Sequence, residues 1–490
     1  MTEPRSLLAK TLLPGTLLPE TLPLTLCLGA CLFLAGCNSG SRADAGGATS
    51  APLTSSRSGG GTAPVPSSAP TTPPVAPPPS SASYDPAWAA LAPTRVIPHP
   101  YDATRTAVQN GAALAAAIQG LQPGDRLEIA SGTYSIEAYF NVTVQGTSTA
   151  PIWIVAASGA TPVITRSNAN QNVINVGSGS PVRFLCLRGL EITGGSALLR
   201  LYDCEDVWVD QCHLHDSAEV AITANTADTA RLHLTRNEIH ATGGTGEGMY
   251  LGGNNASVVM RDSVIALNHV YDCGGSQGDG IEVKQGSFGN WIVENHVHDT
   301  NYPAITVYGT GGQPRNVIER NTCYRSNDNV LQVQGEALVR DNLVVAGAGS
   351  AFHTHDHQGQ TQDLVVVHNT FVNTGRGMNL ISWGGRSGMV LANNAIYSQG
   401  EAVRFGAGSA GVTLSGNVVF GSVSGAGSLG AAGTGLGDFA DLAWDASKLN
   451  ARPATSSPLL GAGDVAHVTA SDLTSAARQS AVDAGCYDAP

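Results

Sequence analysis

Lysine is almost missing from this chain of 490 residues: the 25 basic residues are arginines except Lys10, Lys284 and Lys448. Charge of any kind is scarce at 13%, and the net charge of −13 leaves no basic face for nucleic acid or anionic lipid. Nucleic acid is thereby excluded as a partner. No apolar run reaches the ~20 residues that span a bilayer, since the longest, Leu22 to Leu34, stops short. Cysteine is thin too. Beyond Cys27, Cys31 and Cys37 there are six, Cys186, Cys204, Cys212, Cys273, Cys323 and Cys486, and none forms a Cys-x-x-Cys pair. They carry no metal site, and core thiols suit them at least as well as disulfides.

What is present begins with an export signal. Arg5 and Lys10 precede the apolar run, which closes on Leu34-Ala35-Gly36-Cys37. That phrase resembles the bacterial lipobox, which implies a lipoprotein signal peptide over 1–36 and lipidation at Cys37. Residues 37–83 are Ser/Pro/Gly-rich, too poor in large apolar side chains to offset ordering entropy, and read as a disordered tether. The expected location is a bacterial outer membrane or cell surface, with the membrane reached through the N-terminal lipid only.

Eight phrases built on Asn recur downstream: Asn237, Asn268, Asn295, Asn321, Asn342, Asn369, Asn394 and Asn417 span 180 residues in seven steps. Each interval, near 26 residues, holds short alternating runs separated by Gly/Ser/Asn turns, the pattern of a solenoid whose turns bury a core by stacking. The pattern resembles the right-handed parallel β-helix of the pectate-lyase-like superfamily. In that family such Asn residues form a structural ladder. The resemblance implies an all-β solenoid of roughly eleven or twelve turns over 126–425, with a lead-in and short capping helix over 84–125. Gly111-Ala-Ala-Leu-Ala-Ala-Ala-Ile-Gln is the helix-prone stretch, and a C-terminal segment, 426–490, is expected to pack on the last turns.

Alternation assigns one exposed strip. With apolar residues turned inward, Tyr250, Glu282, Lys284, Thr306, Tyr308, Gln332, Gln334, His353, His355, Asn379 and Arg404 point out. Tyr rings and planar amides suit the faces and hydroxyls of sugars, so the strip reads as a polysaccharide-binding surface of a monomer. Glu247, Asp279 and Glu282 place carboxylates on adjacent turns, where a Ca²⁺ would relieve their repulsion. His353, His355 and His357 share a face and read as a zinc set, a polar loop or a glycan-contacting edge.

Asp279-Gly280-Ile281-Glu282-Val283-Lys284 resembles a DGFAxK phrase of one β-helix pectate-lyase family, and its continuation to Ser287 and Asn290 is similar to the ExxxxKSxxN phrase of chondroitin and alginate lyases. The resemblance implies β-elimination on a uronate-containing glycan, with Lys284, an acidic metal cluster and Tyr308 sharing the base, metal and acid roles. Glu282, two residues away, favours a charged Lys284, and a charged lysine is no base. The reading then needs a cation on Glu282, or Tyr308 or a histidine, His353 or His355, as the base; otherwise Lys284 is an electrostatic partner for a substrate carboxylate or for Glu282. An exposed Lys–Glu pair is worth only ~0–1 kcal/mol, so Lys284 is expected to serve chemistry rather than stability. Phrases of the hydrolases (NTD, GHG, RIK) and of mannuronan epimerases (DPHD) are missing. A non-catalytic glycan-binding or scaffold protein is the alternative.

Overall fold

The computed structural model describes residues 84–489; the signal-like segment, Cys37 and the tether lie outside them. The described chain is a right-handed parallel β-solenoid, with thirteen strands stacked along one sheet from Arg95–His99 to Thr413–Ser415. One turn more than expected arises because Arg95–His99 pairs in parallel with Asp125–Ile129, so stacking starts ahead of the helix. A typical turn is Trp291–Val293, His296–Thr300 and Ile305–Val307. Strands this short cannot stand alone. They are held by the turns above and below, which is why Ile222, Met249, Ile281, Ile305, Leu331 and Phe352 form one inward column with no measurable exposure.

The corners explain the Asn repeat. The residue before each ladder Asn, from Arg236 to Asn393, adopts a positive φ of 52–59°. Such a conformation costs a non-glycine residue ~1–2 kcal/mol. The Asn beyond it offsets that cost: from Asn237 to Asn394 each side-chain amide donates to the Oδ1 of the next Asn, ending on Asn417, at 2.8–3.0 Å, and each of the eight also donates to a backbone carbonyl. The ladder is therefore a structural column.

Helix α1, Ala107–Gln119, covers the N-terminal end of the core with Leu114 and Ile118. Thr106 caps it, accepting from Gln109 N while Gln109 returns a bond to Thr106 N. Gly111 permits the approach, because a Cβ there would stand 2.1 Å from Ser135 O. Two straps cover the outer faces. In the lead-in, Trp88 packs on Trp153, Cys186 and Trp208, and Tyr84 on Val264, Ala266 and Val293. The C-terminal segment lays Phe439, Leu442, Leu459 and Cys486 over Tyr324, Leu343, Val345, Val372 and Tyr397. It runs back well beyond the last turns: Ser475 Oγ donates to Glu294, which also accepts from Tyr84 and Arg320. All six described cysteines are free, buried thiols. Among the described residues no helix is long and apolar enough to cross a membrane.

Candidate active site

The outward column of the strip is in register across nine turns: Arg200, Thr223, Tyr250, Glu282, Thr306, Gln332, His353, Asn379 and Arg404. Exposure is where expectation and structure part. Glu282, Lys284, Thr306, Tyr308, Gln334 and Asn379 are buried, and of the strip only Arg404 is fully exposed. At the Lys284 end of the strip, cover comes from two loops that no alternation pattern reveals, one of which brings His357 to Tyr308 and Gly359 to Gln285 and Gln334. The turn around Asn254–Ala256 and the loop after His355 meet over the strip, where Gln358 exchanges long hydrogen bonds with Asn254 and Asn255. The strip is covered at its Lys284 end and half-buried at Tyr250, Gln332, His353 and His355.

Under the roof the Lys284 ammonium lies 4.8 Å from the Tyr250 ring centre and 4.9 Å from that of Tyr308, one turn to either side, a cation held between two aromatic faces. Its Nζ donates to Glu282 Oε1 at 2.6 Å. Burial pulls the Lys284 pKa down, but the Glu282 carboxylate and the Tyr250 oxygen outweigh it and the net direction is up. Lys284 is therefore a charged group at neutral pH and cannot be the base. Burial likewise raises the Tyr250 phenol, which stays protonated.

The acidic trio does not make a calcium cage. Calcium takes six to eight oxygens at ~2.3–2.6 Å. Here Glu282 is engaged by the ammonium, Asp279 accepts from Thr306 at 2.6 Å and Glu247 from Thr245 at 2.6 Å. Glu247, Asp279 and Glu282 are not among the triads whose ligand atoms lie within 4.8 Å of one another. Burial, then repulsion from Glu282, pushes the Asp279 carboxyl well above its usual range.

His353 and His355 stand three turns from Glu282, roughly 14 Å at ~4.8 Å per turn, too far to act on a sugar held by Lys284. His357 closes the gap. The ring centres run His353 to His355 at 4.8 Å, His355 to His357 at 5.3 Å and His357 to Tyr308 at 5.6 Å, so the loop carries an imidazole back to the lysine. Burial, and next the Lys284 charge, lowers the His357 pKa, leaving a neutral ring at neutral pH. The sequence reading grouped His357 with its neighbours but placed the chemistry on His353 and His355, because only the fold of the loop shows which of the three turns back. Beside this centre a cavity of about 280 Å³ is lined by Gln285, Gln334, Glu336, Gly359, Gln360 and Gln362. Three buried polar atoms along the strip, Thr223 Oγ1, Gln334 Nε2 and Asn379 Oδ1, have no hydrogen-bond partner among the described residues.

The sequence profile of the right-handed β-helix region matches residues 154–315 and 268–396. No curated protein matches the sequence significantly. Among solved structures, the chain resembles the pectate lyase Pel9A at 14% identity, over 82% of this chain and 98% of that one, with a TM-score of 0.47. It also resembles an alginate lyase from Paenibacillus sp. str. FPU-7 (17% identity, 68% and 97% covered, TM-score 0.37) and a rhamnogalacturonan lyase (13%, 62% and 82%, 0.35). At these values none of them assigns chemistry to a residue of this chain.

Proposed function

From a chain that carries a right-handed parallel β-helix region with a cation roofed over on its outer face, we propose a lyase that cleaves a uronate-containing polysaccharide by β-elimination. The observation that carries the reading is the Lys284 ammonium between Tyr250 and Tyr308, with the His357 imidazole beside the second ring, its centre 5.6 Å away and its plane tilted by 32°. An ammonium has three N–H donors, and Glu282 uses one, so a substrate carboxylate can share it. That contact stabilises the charge developing on the carboxylate as the C5 proton leaves. His357, neutral, takes the proton. The C5–H electrons form the C4–C5 double bond, the C4–O4 bond breaks, and the protonated Tyr250 phenol gives its proton to O4. Tyr308 carries the His357 ring and forms the second wall, while Gln332, Gln334, His353, His355, Asn379 and Arg404 line further subsites along the strip. The unpartnered atoms of Thr223, Gln334 and Asn379 are what sugar hydroxyls would satisfy.

No step uses calcium, since the carboxylates present do not fit it. Tethering through Cys37 at a bacterial outer membrane or cell surface belongs to the same proposal, as does action as a monomer. The test is to incubate the full chain with pectate, alginate and glycosaminoglycans and follow the ultraviolet absorbance of the unsaturated uronate. Product is expected from one class, undiminished by EDTA, and lost in His357→Gln and Lys284→Met. Retention on a glycan column with no unsaturated product from any acidic glycan would instead favour the non-catalytic binding protein.

A further inference from the structure

The next strand face of the solenoid carries a second constellation. On the outward side of the strands that follow the Asn ladder, His213, His215, His240, His269, Tyr271, His296, His298 and Tyr324 stack ring on ring with centres 4.2–5.4 Å apart. The sequence signal is a phrase, His-x-His-Asp, at His213–Asp216 and His296–Asp299, with His269-Val-Tyr-Asp272 between them. Aromatic stacking alone would not need histidine so often, nor an aspartate after each pair.

We propose that His269, His296 and His298 form a binding site for a divalent transition-metal ion of the zinc class. The three offer ring nitrogens that all lie within 4.8 Å of one another. His269 Nε2 and His298 Nε2 already face each other at 2.9 Å. Two nitrogens of a tetrahedral zinc site, each ~2.0–2.1 Å from the metal, stand roughly 3.3 Å apart, so the pair needs to open only by a few tenths of an ångström. Imidazole nitrogen selects this class over calcium or magnesium, which take oxygen.

The surroundings are those of a ligand rather than of a ring packed for its own sake. Asp299 Oδ2 lies 2.5 Å from His298 Nδ1, which orients that ring and turns its Nε2 toward His269. Arg325 holds the same carboxylate through Nε at 2.7 Å. His296, whose Nε2 lies 2.9 Å from the Tyr324 hydroxyl, borders a cleft of about 490 Å³ between the solenoid and the C-terminal strap, lined also by Arg320, Leu449, Thr474 and Tyr487, through which a metal could enter. Further along the ladder His213 closes a triad either with Glu191 and His215 or with Glu238 and His240; sharing His213, these could hold one more ion at most.

The test uses the full chain stripped with a chelator and titrated with Zn²⁺ against a chromophoric competitor, then with Co²⁺ for its visible spectrum. The expected result is at least one bound Zn²⁺ per chain, an intense tetrahedral Co²⁺ band and a raised melting temperature. His269→Gln with His298→Gln should lose one equivalent, and Asp299→Asn should weaken that equivalent by roughly 10–100-fold. His213→Gln should leave it in place. Absence of Zn²⁺ uptake by the wild-type chain, a weak octahedral Co²⁺ spectrum, or unchanged stoichiometry in the double variant would overturn the assignment. Should the double variant fail to fold, the wild-type cobalt spectrum and Asp299→Asn decide alone.

Discussion

Lys284 shows how far one residue's meaning depends on what covers it. As an exposed partner of Glu282 it would contribute almost nothing to stability, which was the expectation from alternation. With side-chain exposures of 6% and 7%, the pair is a buried one, and removing one member strands the other's charge. Lys284→Ala is therefore expected to cost about 3–5 kcal/mol in urea unfolding, besides any loss of activity. Lys284→Met combined with Glu282→Gln, which removes both charges, should recover most of that loss. A single variant with unchanged urea midpoint would mean that water reaches the pair.

Among the structural elements, the corners and the C-terminal strap are coupled through His368. This residue occupies a positive-φ corner without measurable exposure, and its Nε2 accepts from Asn393 Nδ2 at 2.9 Å, while Asn393 in turn bonds Asp464 of the strap. Burial, then the Arg478 charge, pushes the His368 pKa down to about 3. The unfolded chain takes up this proton near pH ~6.5, before the folded one does, so the contribution is whole above that pH and is lost as pH falls toward about 3. Melting temperature measured against pH should drop over that window, by the equivalent of a few kcal/mol at its foot, roughly. His368→Gln should flatten the drop. An identical pH profile in the variant would remove His368 as its source.

At the scale of the molecule, stability is a sum over stacked turns and the straps that cover them. The C-terminal strap shields Tyr324, Leu343, Val345, Val372 and Tyr397, outward side chains that would otherwise form an apolar patch, and it buries Arg478 between Asp341 and Asp488 at 2.7 Å each. A chain ending at Asp438 should keep the far-ultraviolet spectrum of the solenoid yet melt lower and self-associate in sedimentation. A monodisperse truncated chain with the wild-type melting temperature would show that the strap adds no cover that matters.

The repeat spacing and the alternation within it determined that the chain is a solenoid of stacked short strands and which side chains share the outward column from Tyr250 to Arg404, while its likeness to the β-helix family implied the parallel winding and the stacking of Asn237 to Asn417. The first two follow from local periodicity, because every turn meets its neighbour in register and an error of one residue would turn the whole apolar set outward. The tertiary structure alone decided that the column is covered at its Lys284 end, that His357 rather than His353 or His355 reaches Lys284, and that histidines from separate phrases converge on a second face. Loop paths depend on contacts between residues as distant as Asn254 and Gln358, and no periodic signal encodes such a meeting.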